Sequence, residues 1–331
     1  MSHGITELDQ ILLVGQPAWH GLGIVVEGAP SLEEARKLSG LDWEPVAHPA
    51  FYGQHRRDYP GSMIVRSDKP DVELGAVGVG YRVFTNSELF ALASAVQERT
   101  GAPVETAGSV GRGGKVFLLL RTPSADLSIP ARGRADGSMP DRSLAYVALI
   151  TGHDGSTALR VHGTSVRVVC ANTIRASEQD VGHSIAGIEG TAGLEAIRHG
   201  DRDFERKLEI LKASILSQAD TVARLHRVLE RSVEVRLSSE QRAEVFYQIW
   251  AAIQDGPFDA AAAKQFVTDV DLCDDTAQFG LSGTLYSAAQ SLTGWADHRR
   301  DGVVRTAGSR LVNQSALKVA TMTRVSAMVG A

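Results

Sequence analysis

The sequence has few cysteines and lacks a long apolar run. Cys170 and Cys273 are its two cysteines, and they lie far apart without CxxC spacing. This spacing argues against a disulfide framework or a zinc site, so both are interpreted as reduced thiols. The sequence has no run of about 18 apolar residues, as a membrane-spanning helix would need, and residues 1–10 do not resemble a secretion signal. We therefore expect a cytoplasmic protein without a membrane partner.

The chain also lacks an excess of basic residues. Lys and Arg number 34 and Asp and Glu 39, which gives a net charge of −5 over 331 residues. A protein that coats nucleic acid usually carries a global positive field, so any nucleic-acid contact made by this chain must be local. None of the ten histidines shows HxxxH or HExxH spacing with carboxylates on a shared helix face. No metal and no cofactor is expected.

The first half of the chain mixes helices and strands. Two segments, SLEEARKLSG (31–40) and TNSELFALASAVQERTG (85–101), begin with the spacing of a capping box and end in glycine, which predicts two helices. Apolar, β-rich runs flank Gly111–Gly114 and His153–Gly155. Glycine and Asp-Gly favour tight turns, so these patterns predict two hairpins. Strands joined by turns indicate a mainly antiparallel sheet.

The second half is predicted to be helical. Between Asp201 and Arg236, residues at alternating steps of four and three form a seam in which Gln218 is the one polar member. The seam residues are Phe204, Leu208, Leu211, Ile215, Gln218, Val222, Leu225 and Leu229. This heptad-like spacing predicts one long helix. Its apolar face could be covered by the helices that follow or by a second subunit, so a homo-oligomer through residues 201–236 stays open.

These patterns together predict an α+β protein. We expect an N-terminal, mainly antiparallel sheet with flanking helices over residues 1–185, followed by a helical C-terminal region over residues 186–331 that is led by one long helix. The polar, Pro- and Gly-bearing segment 122–143 has few apolar residues. Such a composition predicts a mobile loop.

Four separated stretches resemble one protein family. They are PAWHGLG (17–23), ETAGSVGRGGKVFLLL (105–120), HDGSTALRVHGTSVRVVCANT (153–173) and GTLYSAAQSLTGWADH (283–298). Over nearly its whole length the chain resembles the phage/plasmid-like proteins that carry the domain of unknown function numbered 932. The resemblance implies a mobile-element setting and no assigned activity. The family-motif positions in this sequence are Gly21, Gly23, Arg167, Cys170, Asn172 and Thr173.

Arginines beside glycines are candidates for contacts with phosphate groups. Arg112 and Lys115 flank a glycine-rich turn, and Arg132 and Arg134 lie in the polar segment. Tryptophan can stack on a base, and Trp19 precedes His20 and a glycine. The candidate nucleic-acid-binding residues are therefore Arg112, Lys115, Arg132, Arg134, Trp19 and His20. Charged turn tips also favour solubility, so that simpler explanation stays open beside phosphate binding.

We predict a nucleic-acid-interacting protein of DNA replication, recombination or single-strand handling, with single-stranded DNA as its partner. An enzyme built around His153, Asp154 and Cys170 is the alternative, although a thiol in an apolar strand is poorly reactive and a turn explains Asp154. A host-directed interaction or inhibitor protein, using the long helix as its contact surface, is the third hypothesis. No catalytic residue is assigned.

Overall fold

The computed structural model describes residues 6–15, 23–54, 57–133, 139–167, 196–253, 259–298 and 314–330. The chain forms two compact units. Unit 1 contains Met1–Ser124, Tyr146–Gly163 and Gly193–Ala219, and unit 2 contains Ala125–Ala145, Thr164–Ala192 and Asp220–Ala331. The predicted boundary at residue 185 lies outside the described residues.

The secondary structure confirms the α+β class. In chain order the strands are β1 Ile11–Val14, β2 Ile24–Val26, β3 Pro45–Tyr52, β4 Arg57–Arg66, β5 Glu73–Gly78, β6 Val104–Val110, β7 Lys115–Arg121, β8 Leu127–Ile129, β9 Asp141–Gly152, β10 Leu159–Arg167 and β11 Ala196–Ile197. The helices are α1 Leu32–Leu38, α2 Asn86–Thr100, α3 Phe204–Ser232, α4 Ser239–Ile253, α5 Ala260–Asp271, α6 Leu285–His298 and α7 Gln314–Val329.

The larger sheet has the strand order β11-β10-β9-β7-β6-β1-β2, and a smaller sheet has the order β3-β4-β5. β1 and β2 pair in parallel, while β1 with β6, β6 with β7, β7 with β9, and the neighbours of β4 pair antiparallel. The prediction of a mainly antiparallel sheet is confirmed.

The core of unit 1 lies between the larger sheet and its helices. Leu118 and Val147 of the sheet share one buried cluster with Leu89 and Val96 of α2. Both predicted capping boxes are present, because Ser31 and Thr85 each exchange hydrogen bonds with the glutamate three residues later. These caps satisfy amide groups that the first helical turn leaves without partners.

The two predicted hairpin turns are also present. Val110 pairs with Lys115 across the β6–β7 turn, and Gly111, Arg112 and Gly113 have φ values of +67°, +64° and +96°. Gly155, in the turn between β9 and β10, has φ +78°. Positive φ is the conformation that glycine adopts without steric cost, which explains the glycine spacing of both turns.

The segment that was expected to be a loop, 122–143, packs more than its composition indicates. It contains a 3₁₀ helix at Pro123–Ala125 and β8, which pairs with the first residues of β9. Leu127 and Ile129 are buried in a cluster of unit 2 that includes Leu225. The alternation of apolar and polar residues along β8 buries one face, although the whole segment is polar on average.

The predicted long helix is confirmed as α3. Its described seam residues Phe204, Leu208, Leu211, Val222, Leu225 and Leu229 are buried, while the side chains of Ile215 and Gln218 lie outside the described residues. The first three belong to the core of unit 1, and Leu225 and Leu229 belong to a core cluster of unit 2. The chain itself therefore covers these seam positions. Oligomerisation through this helix stays a prediction and would need its outer face.

The helices of unit 2 pack around aromatic side chains. Phe266 of α5 lies with its ring centroid 4.8 Å from that of Trp250 and 5.0 Å from that of Trp295. Val245 and Phe246 of α4 are buried in the same cluster. A capping box stands at the start of α4, because Ser238 and Gln241 exchange hydrogen bonds.

A buried arginine joins three of these elements. Arg242 of α4 donates from Nε to Asp271 Oδ1 at 2.7 Å, from Nη1 to Ser287 Oγ at 2.5 Å and from Nη2 to Ser291 Oγ at 2.7 Å. Its Nη2 also lies 3.3 Å from Asp274 Oδ2. Arg242 also lines a cavity of about 290 Å³. Its guanidinium already has four partners, so it is not a free cation for a ligand in that cavity. This network is structural.

Replacing this arginine should destabilise unit 2. Arg242→Met removes the donor that Asp271 and two buried serines share, and it removes the cation beside Asp274. Removing one partner of a buried ion pair costs about 3 kcal/mol. Urea unfolding followed by tryptophan fluorescence measures the loss. The control, Lys264→Ala, removes an exposed charge from α5 and should change the free energy of unfolding by less than about 0.5 kcal/mol. Equal unfolding midpoints for both variants would contradict the structural role.

Candidate nucleic-acid interface

The end of the β3–β4 pair that β5 does not reach forms a two-stranded arm with exposed residues on both strands. They pair from Pro45 opposite Arg66 to Tyr52 opposite Arg57, with a bulge between Pro49 and Phe51. Residues 46–49 and 57–60 are exposed at every position. Since successive side chains of a strand point to opposite faces, both faces of the arm carry exposed side chains there. We call residues 46–51 and 57–60 the ribbon.

The ribbon presents aromatic and basic side chains together. Phe51 and Tyr59 are 48% and 36% exposed, and Arg57 and His48 are exposed as well. Aromatic rings that stack on bases, beside a cation that attracts the backbone, are the elements of single-strand recognition. The sequence signal is FYGQHRRDY (51–59), with three aromatic rings and two arginines in nine residues. None of these residues is among the binding residues predicted from the sequence.

The turn between β6 and β7, which we call the tip, contains Arg112, and Lys115 follows it. Both are predicted binding residues. Arg112 is exposed and Lys115 is half-buried. The backbone N–H groups of Arg112 and Gly113 donate to the two carboxylate oxygens of Asp9, each at 2.9 Å, and Ser109 Oγ donates to the same carboxylate at 2.8 Å. A carboxylate of the chain therefore already binds these two amide groups, and phosphate contact by the Arg112 and Lys115 side chains stays a prediction.

One tryptophan connects the tip with the base of the ribbon. The guanidinium of Arg66, at the end of β4, lies 4.3 Å from the ring centroid of Trp43, and its Nη1 donates to the carbonyl oxygens of Leu8 and Arg112 at 3.1 Å and 3.4 Å. A Cβ on Gly113 would lie 2.6 Å from the Trp43 ring, so only glycine fits there. Arg57 lies nine residues from Arg66 along β4, roughly 30 Å at the rise of an extended strand.

The other candidate binding residues belong to unit 2 or lie outside the described residues. Arg132 belongs to unit 2, where it forms an ion pair with Glu234 that offsets its charge. Trp19, His20, Gly21, Arg134, Cys170, Asn172 and Thr173 lie outside the described residues. The backbone of Arg167 belongs to β10, and its side chain is likewise outside the described residues. Gly23 has φ +109°, and a Cβ there would lie 2.7 Å from the Ile11 carbonyl oxygen, which explains glycine at this position structurally.

His153 and Asp154, the alternative enzyme candidates, have structural partners. His153 is 1% exposed, and its Nε2 lies 2.9 Å from Asn86 Oδ1. Because the amide oxygen accepts, Nε2 carries the proton, and burial lowers the pKa of His153 to about 3. Asp154 Oδ1 accepts from the backbone N–H and the hydroxyl of Ser156 at 2.8 Å and 2.7 Å, which is the bonding of a polar turn.

His199 is a second buried histidine of unit 1. Its ring stacks on Tyr81 with centroids 4.8 Å apart. Its Nδ1 lies 3.0 Å from the Arg82 carbonyl oxygen, and its Nε2 lies 3.1 Å from Thr151 Oγ1. Burial also lowers the pKa of His199. Both histidines are therefore neutral core residues that stabilise the fold through hydrogen bonds.

The comparisons with known proteins identify the family. The model of a family described as a domain of unknown function, DUF932, matches residues 73–322. The chain belongs to the DUF932 family. No curated protein and no solved structure matches the chain. The family resemblance is confirmed, and the match itself carries no information about phages or plasmids.

The DUF932 match includes Arg112, Lys115, His153 and His199, whereas the ribbon precedes it along the chain. Among the described helices, none is long and apolar enough to cross a membrane. Within the described ranges, no group of three His, Cys, Asp or Glu residues is arranged to hold a metal ion.

The buried histidines predict a stability that falls at acid pH. Below about pH 6.5 the unfolded His153 side chain binds a proton, whereas the folded one stays neutral down to a pKa of about 3. Protons therefore favour the unfolded state in this range, by about 1.4 kcal/mol per pH unit for this residue. The melting temperature, followed by circular dichroism, should fall between about pH 7.5 and about pH 5.

His153→Gln keeps a donor for Asn86 and removes the titrating group. This variant should melt at a lower temperature near neutral pH, because the ring packing against Trp43 is lost, and its melting temperature should fall less towards acid pH. An equal fall in the variant and the native chain would assign the pH dependence to other groups.

Proposed function

We propose that this DUF932 protein binds single-stranded nucleic acid through the ribbon and the Arg112 side chain, and that it serves DNA replication, recombination or single-strand handling. The observation that carries the proposal is the combination of Phe51, Tyr59 and Arg57 on an arm with both faces exposed. The phage or plasmid setting, implied by the sequence resemblance, is part of this proposal, and action in the cytoplasm stays a prediction.

Two physical arguments support a single strand over a duplex. Stacking on Phe51 and Tyr59 needs base faces that are free, and in a duplex each base is already stacked. The net charge of −5 also opposes the broad phosphate contacts by which proteins hold duplex DNA. An interface in which aromatic rings supplement a few arginines fits a negatively charged protein.

Fluorescence anisotropy of a short labelled single-stranded oligonucleotide, with the matching duplex as a comparison, tests the proposal. Phe51→Ala should weaken binding by about 1–3 kcal/mol, the usual contribution of one stacked base. Arg57→Ala should weaken binding and lower the slope of log affinity against log salt by about 0.7, as expected for one lost phosphate contact. Titrations between about 50 mM and about 200 mM salt measure that slope.

Lys37→Ala is the matched control, because it removes an exposed positive charge from α1, away from the ribbon and the tip in sequence. It should leave the affinity and the salt slope unchanged. The proposal is wrong if the native protein does not bind the single strand at about 50 mM salt. It is also wrong if Lys37→Ala weakens binding as much as Phe51→Ala and Arg57→Ala.

A further inference from the structure

Unit 2 contains a serine and a histidine in direct hydrogen-bond contact. Ser165 of β10 and His226 of α3 are 61 positions apart in sequence, and Ser165 Oγ lies 2.6 Å from His226 Nε2. No local sequence pattern relates these two residues. A serine whose hydroxyl reaches a histidine nitrogen is the basic arrangement of nucleophilic serine catalysis.

The other ring nitrogen determines the direction of this hydrogen bond. His226 Nδ1 lies against the carbonyl oxygen of Ala125, which can only accept a hydrogen bond. In the neutral ring Nδ1 therefore carries the proton, and Nε2 presents its lone pair to Ser165 Oγ. The serine hydroxyl donates to Nε2, as a nucleophile does to its general base.

The environment keeps this base neutral and leaves the serine accessible. Burial lowers the pKa of His226, while the hydrogen bond to Ala125 and the negative charge of Asp126 oppose this decrease. His226 is 4% exposed, whereas Ser165 is partly exposed. A shielded base beside a reachable hydroxyl is suited to taking up a proton without competition from water.

We propose that Ser165 is a nucleophile activated by His226 and that this site cleaves carboxylic esters. Ser165 Oγ forms a bond to the ester carbonyl carbon while His226 Nε2 takes the hydroxyl proton. The bond from that carbon to the alcohol oxygen then breaks, and His226 returns the proton to the departing alcohol. Water attacks the acyl-serine, gives one proton to His226, and Ser165 Oγ leaves as the hydroxyl with that proton restored.

The Ala125 carbonyl, which orients the His226 ring, favours esters over amides as substrates. A backbone carbonyl dipole bonded to Nδ1 stabilises the protonated imidazole less than a full carboxylate in that place would, while the negative charge of Asp126 acts on the pKa of His226 as a smaller, raising effect. A weaker stabilisation of the imidazolium suits a substrate whose leaving group departs easily. An alcohol leaves more readily than an amine, so the site is matched to the ester bond.

An alkyl fluorophosphonate tests this site directly. The reagent forms a bond from serine Oγ to phosphorus as fluoride leaves, and mass spectrometry of peptides from the native, full-length protein locates the adduct without any variant. We expect the adduct on Ser165 at neutral pH. Ser165→Ala should abolish labelling, and His226→Gln should slow it by at least about 100-fold, the usual contribution of a general base.

Ser128→Ala provides the control, because Ser128 is an exposed serine on β8 of the same unit, and its loss should not change the labelling rate. Circular dichroism shows whether each variant keeps the native secondary structure. The absence of an adduct on Ser165 after long exposure of the native protein would overturn the proposal. Equal labelling rates for His226→Gln and the native protein would overturn it as well, because the contact would then only hold β10 to α3.

Discussion

The packing of Trp43 is the constraint on which unit 1 depends. Trp43 is 1% exposed, and its ring contacts the guanidinium of Arg66. The ring lies so close to Gly113 that a side chain there would clash with it. It also packs edge-on against the His153 ring, with centroids 5.6 Å apart. The Trp43 carbonyl oxygen accepts from Asn86 Nδ2 at 2.9 Å. One residue thereby joins the base of the ribbon, the β6–β7 tip, the turn after β9 and the start of α2. The exposed arm can project only because its base is held in the core.

Exposure separates the candidate functional residues of unit 1 into two groups. His153 and His199 have the side-chain chemistry expected of catalysts, yet each is buried, neutral and hydrogen-bonded within the fold. His199 has a partner at each ring nitrogen and His153 has one at Nε2, and a neutral imidazole costs far less to bury than a charged one. Phe51 and Arg57 are ordinary residues by chemistry, but their exposure on the ribbon makes them accessible to a partner.

The parts of this fold that could be predicted from the sequence are those set by interactions between residues close together in the chain. The capping boxes, the glycine turns and the seam of α3 each depend on residues at most a few positions apart, so the sequence alone indicates them. Asp9 binds the turn at Gly113 across 104 positions, and Ser165 meets His226 across 61. Such contacts follow from strand order and helix packing, which no local pattern encodes. The exposure of the ribbon likewise depends on how the rest of the described chain packs, which a local sequence pattern does not show.

Arg112 shows why a polar turn can be both structural and functional. A residue other than glycine at φ +64° costs roughly 1 kcal/mol, and Asp9 offsets this cost by binding the amide groups of Arg112 and Gly113. The carboxylate fixes the backbone of the tip, so the guanidinium is presented from a rigid support. The same carboxylate excludes phosphate from the backbone amides. Any anion recognised at this tip must therefore be held by the side chain, whose reach and charge are independent of the turn.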